Sequence, residues 1–97
     1  MTSLHIRVLA KNDIQEIVDY YDRIAPKITN KFLDDLYADL ELLKENPSLF
    51  QLKYRETRVR FMKKFPFGIH YVLKKDTVIV LAVLHTSRSP KIWEERQ

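Results

Sequence analysis

Hydrophobic and polar residues alternate from Leu4 to Ala10. Leu4, Ile6, Val8 and Ala10 fall on one side, His5 and Arg7 on the other. A period of two predicts a strand. The period then lengthens: Ile14, Ile17, Val18, Tyr21, Ile24 and Ala25 recur at helical spacing. Asn12, three residues before Gln15, has the form of a cap at the start of that helix. Pro26 ends it, because proline lacks an N–H and disfavours helix at the residue before it. A second helix is predicted from near Lys27 to Thr29, with the stripe Phe32, Leu33, Leu36, Tyr37, Leu40 and Leu43. Asp34, Asp35, Asp39 and Glu41 lie off that stripe and are expected to face water. Asn46-Pro47 closes the helix. The short link at Pro26 makes the two helices a hairpin, with both apolar stripes turned toward a common partner.

The rest of the chain returns to period two. Tyr54–Met62 places Thr57, Val59 and Phe61 on one face and Arg58, Arg60 and Met62 on the other. Phe65, Phe67, Ile69, Tyr71 and Leu73 form the next alternating stretch, and Lys74-Lys75-Asp76-Thr77 is a tight polar link. Val78–Leu84 is an unbroken apolar run, which predicts an interior strand covered on both faces. Ser89-Pro90 resembles an N-cap followed by proline at the first helical position, so Lys91–Arg96 is predicted as a short terminal helix carrying Trp93. The expected fold class is α+β in the order β-α-α-β-β-β-α. A helical hairpin packs on a mainly antiparallel four-stranded sheet, with a short C-terminal helix.

Composition narrows the possibilities. The 97 residues make one domain, 1–97, able to hold one core. Cysteine is absent, which excludes disulfides and thiolate metal sites and fits a reducing compartment. The N-terminus has no signal-peptide core and no apolar run is long enough to span a membrane, so a cytoplasmic location is expected. Charge is uneven. Residues 1–50 hold 6 Lys/Arg against 9 Asp/Glu, a net of −3, and residues 51–97 hold 11 against 4, a net of +7. A basic half on a small domain favours an anionic partner, either nucleic acid or an acidic peptide.

Two stretches add a resemblance. LELLKENPSLF, residues 40–50, ends a helix with Asn-Pro and a following aromatic. Residues 59–96 run from an arginine-bearing strand to Phe-Pro-Phe, then a strand holding Tyr71. A charged turn, an apolar strand ending in His85 and Arg88-Ser89-Pro90-Lys91-Ile92-Trp93 follow. In this order and length the chain resembles the RelE/ParE toxin superfamily, the ParE-like (plasmid stabilisation) branch above all. The resemblance implies the toxin of a type II toxin–antitoxin pair. Such a toxin inhibits growth until a cognate ParD- or RelB-like antitoxin wraps it with an extended C-terminal segment. ParE-like members are linked to DNA gyrase without nuclease chemistry. RelE-like members are ribosome-dependent endoribonucleases that cut mRNA. A third reading is an inactive toxin-like binding module.

Cutting RNA needs a base for the 2′-hydroxyl proton, an acid for the leaving oxygen and cations for the phosphate. The catalytic candidates are His85 or Glu56 as base, with Arg58, Arg60 and Arg88 as stabilisers. RelE-like nucleases usually place an arginine early in the strand that holds Tyr71; here Gly68 or Ile69 occupies that place, which favours the ParE-like branch. For binding an antitoxin or target the candidates are Arg58, Arg60, Lys63, Lys64, Arg88 and Trp93, since paired guanidinium groups suit carboxylate or phosphate. Trp93 also reads as a plug for the open end of the sheet. His5 and His70 lack neighbours at metal-ligand spacing, so no metal, other cofactor or small-molecule substrate is expected.

Overall fold

The structure is a computed structural model and describes residues 2–50 and 52–87. The predicted helix Lys91–Arg96, with Trp93, and the candidate Arg88 lie outside the described residues. The elements run β1 (Ser3–Ile6), α1 (Val8–Ile24), α2 (Pro26–Glu45), β2 (Leu52–Tyr54), β3 (Thr57–Phe61), β4 (Phe67–Lys74) and β5 (Thr77–His85). They form one sheet in the order β1-β5-β4-β3-β2, in which only the β1–β5 pair is parallel. The helical hairpin covers one face, as the two apolar stripes predict.

Three local expectations are corrected. The alternation from Leu4 does not continue as strand to Ala10. Pairing of β1 with β5 stops at Ile6↔Val80, and the chain enters α1 at once, with Arg7 as an extended cap residue and no side-chain cap. Asn12 lies inside that helix, and Val8 is 70% exposed rather than on the core side. The single strand predicted from Tyr54 to Met62 is two strands. Arg55, at φ 48°, and Glu56 make the turn between β2 and β3, adding a three-residue edge strand to the four anticipated. Pro26 itself opens α2, at the position where its missing N–H costs nothing. Thr29 secures the hairpin corner by donating to Asp22 Oδ1 at 2.7 Å.

The core lies between the hairpin and the sheet. Phe32, Leu36, Leu40 and Leu43 of α2 meet Ile69 and Tyr71 of β4 and Val78, Val80 and Val83 of β5, all buried. Tyr37 and Ile24, counted in the predicted stripes, are instead exposed at their edges. The opposite face of β5 is buried too, at Ala82 and Leu84, so the unbroken run Val78–Leu84 is the interior strand its sequence predicts. Among the described residues, no strand flanks β5 on its β1 side beyond Val80. There the buried Asp13 of α1 accepts the Val83 N–H at 3.0 Å, so this amide is not left bare.

Gly68 is a glycine for reasons of space, since its φ is not positive. A Cβ built there stands 3.0 Å from Val59 Cγ1 and 3.3 Å from the Phe61 ring. Gly68→Ala is expected to cost about 1–3 kcal/mol through overpacking, and Gly68→Arg more, as a fall in urea midpoint would show.

Candidate functional site

The basic residues of β3 do share a face, as their spacing predicts. That face is the one under the helices: Arg58 pairs in register with Tyr71, and Arg60 with Ile69, both core residues. Each guanidinium therefore has an internal partner. Arg58 Nη1 donates to the Phe50 carbonyl at 2.6 Å and the Ser48 carbonyl at 3.3 Å. Beside it the Tyr71 hydroxyl donates to the Pro47 carbonyl at 2.8 Å. The loop after α2, which the Asn46-Pro47 stop creates, is thus fastened to the sheet by two side chains. Arg60 Nη2 meets Asp39 Oδ1 at 3.2 Å and its guanidinium lies 5.0 Å from the Phe50 ring centroid. Asp39, expected to face water, is largely covered, paired with the Arg60 guanidinium that reaches it from β3.

Lys63 and Lys64 follow in the β3–β4 connection and are exposed. With Arg60 they border a hollow of about 250 Å³ whose other walls are Asp35, Ala38 and Asp39. Three cations face two carboxylates there, and one carboxylate, Asp39, is already paired. The exposed part of the basic surface is therefore the lysine pair, with Arg60 as its floor.

Of the catalytic candidates, Arg88 lies outside the described residues, and Glu56 and His85 sit on different elements. Glu56 stands exposed in the β2–β3 turn. His85, exposed at the end of β5, has its Nδ1 engaged by the Ser87 N–H at 3.1 Å and the Ser87 hydroxyl at 2.8 Å. Accepting that N–H assigns the ring proton to Nε2, the nitrogen a general base would need free. Ile69 is fully buried and the space beside Gly68 is filled, so neither position has room for an arginine without rearrangement. Among the described residues no three His, Asp or Glu side chains converge as a metal site requires. Also among them, no helix is long and apolar enough to cross a membrane.

Burial pushes the Tyr71 hydroxyl up to about 12, although the nearby Arg58 pulls it partly back; burial also raises Tyr21. A raised folded-state value means the neutral phenol is the form that the fold favours. Its contribution is intact below pH 10 and disappears as pH climbs toward about 12. Denaturant midpoints should therefore fall over that interval by an amount equivalent to about 2–3 kcal/mol, and Tyr71→Phe should flatten the fall.

Residues 4–90 match the family described as "ParE toxin of type II toxin-antitoxin system, parDE". Among solved structures, one titled "Chromosomal ParDE TA system from P. aeruginosa" superposes with a TM-score of 0.78. It is 19% identical, and the match covers 88% of this chain and 96% of that one. No curated protein matches. An α-helical hairpin on a mixed five-stranded sheet is the class of fold defined here. The chain belongs to the ParE toxin family of type II toxin–antitoxin systems.

The sequence overlooked Asp13, Asp39 and the Pro47–Phe50 carbonyls. Asp13 carried a signal, a charged residue four positions before Ile17 on the apolar side of its helix. The carbonyls carried none, because backbone acceptors look the same in every loop.

Proposed function

We propose that this toxin acts by binding DNA gyrase rather than by cutting RNA, and that a ParD-like antitoxin neutralises it. The observation carrying this reading is the inward use of Arg58, Arg60 and Tyr71. Cations and a hydroxyl that would serve phosphate chemistry instead fasten the Pro47–Phe50 loop and α2 to the sheet. The tautomer of His85 and the filled space at Gly68 support the same conclusion. Purified toxin is expected to inhibit gyrase supercoiling and to leave mRNA intact on translating ribosomes. Unimpaired supercoiling at high toxin concentration, or ribosome-dependent cleavage, overturns the reading. Normal growth on expression without antitoxin would instead mark an inactive binding module.

The antitoxin's acidic segment is assigned to the Lys63–Lys64 surface, with the Arg60 floor behind it. Lys63→Glu with Lys64→Glu should weaken antitoxin binding by about 1–2 kcal/mol at low salt, and by less at high salt, because exposed charges are screened. Calorimetric titration at two salt concentrations checks both effects; salt-independent affinity in the unmodified toxin counts against this surface.

A further inference from the structure

A second surface differs in character from the lysine pair. Where α1 passes the start of β4 and the end of β5, a cleft of about 380 Å³ opens to solvent. Tyr20, Tyr21, Phe67 and His85 supply its rings, Ile24 part of its apolar wall and Glu16 its acidic rim. The rings are set at steep angles. Tyr20 and Tyr21 lie 5.3 Å apart at 66°, Tyr21 and Phe67 6.5 Å apart at 89°, and Phe67 and His85 5.6 Å apart at 87°. Such a set presents both ring faces and ring edges to whatever enters. Tyr20 and Ile24 are more than half exposed, at 52% and 59%. Among the described residues no lysine or arginine lines the cleft, and Glu16 forms no ion pair.

We propose that this cleft is a receptor for one lysine or arginine side chain of a protein partner. Two needs must be met together. An apolar floor of this size favours a long aliphatic stem. The π-faces and the unpaired Glu16 favour a positive head. A leucine or phenylalanine anchor meets only the first need, and closes a partner over Glu16 with no counter-charge. A lysine or arginine lays its methylenes on Ile24 and Phe67 and brings its cation between Tyr20 and Glu16. The surrounding charge agrees: residues 1–50 carry a net −3, and Asp19 and Asp22 also lie exposed on α1. The assignment is independent of which target the toxin engages, and it implies a partner that carries a cation here.

The test uses the full-length toxin and three blocked amino acids: the N-acetyl methylamides of arginine, lysine and norleucine. Norleucine matches the lysine stem without its charge. Amide and ring shifts of Tyr20, Tyr21 and His85 are followed by NMR. The arginine and lysine probes are expected to bind about three- to fivefold more tightly than norleucine, less so as salt rises. Glu16→Gln should reduce that preference while norleucine binding stays as it was. Tyr20→Leu, at an exposed ring, should weaken the cationic probes about threefold. Norleucine binding as tightly as arginine shows a merely apolar cleft and overturns the proposal. So does an undiminished preference in Glu16→Gln, or a pattern of shifts centred elsewhere.

Discussion

Replacing Phe32 with alanine is expected to lower the unfolding free energy by about 3–5 kcal/mol. The ring is fully buried, with centroids 6.1 Å from Tyr21, 5.5 Å from Phe65 and 5.7 Å from Phe67. It joins both helices to the β3–β4 connection and the start of β4, so neighbours on α1, that connection and β4 lose contacts together. Such a loss is a large part of the roughly 5–15 kcal/mol that keeps a domain folded. Urea denaturation followed by circular dichroism measures it. Leu49→Ala, at a side chain 64% exposed, serves as the control and should change stability by less than about 0.5 kcal/mol. A Phe32→Ala midpoint close to the control would contradict the packing described for α2.

Arg60→Ala should cost about 2 kcal/mol, because it leaves the Asp39 carboxylate largely covered and without its cation. The gain from the pair is tempered on the arginine side, where the buried Nε lacks an acceptor. Removing both partners should therefore cost much less than the two single changes added together. A double-mutant cycle on unfolding free energies is expected to show coupling of about 1 kcal/mol or more. Additive losses would mean that the 3.2 Å contact contributes nothing. The same variants examine the antitoxin surface. If Arg60 also binds the partner through a desolvated charge pair, antitoxin affinity falls by about 1–3 kcal/mol in Arg60→Ala at temperatures where it remains folded. Unchanged affinity removes Arg60 from that surface and leaves Lys63 and Lys64 as its cations.

Arg60 also shows how far a sequence can be read. Its spacing from Arg58 correctly puts both on one face of a strand, since that follows from the two-residue period alone. Which face the helices cover is a tertiary matter. Arg58 and Arg60 share theirs with Met62, which is buried, but Thr57 and Val59 on the opposite face are buried too, so the alternation alone does not choose between them. The same limit applies to Asp39, which helical spacing places beside the apolar stripe but which only its pairing with Arg60 of β3 accounts for. Phe32, Leu36 and Val78–Leu84 were legible because burial follows directly from their pattern. Boundaries were less so. The alternation from Leu4 to Ala10 continues in the sequence, but its hydrogen-bonding partner ends at Val80, and a helix begins without any capping side chain to announce it. The turn at Arg55-Glu56 was hidden likewise, because a non-glycine residue carries the positive φ.

The parallel pairing of β1 with β5 bears on how the toxin is made. Ser3 and Thr77 are 74 positions apart, so the opening strand finds its neighbour only when the closing hairpin has left the ribosome. Until then Leu4 and Ile6 have no sheet to join, and a chain broken off before Thr77 never acquires one. The sheet of this toxin is therefore complete only once Thr77–His85 has been made, which ties the docking of its opening strand to the synthesis of β5.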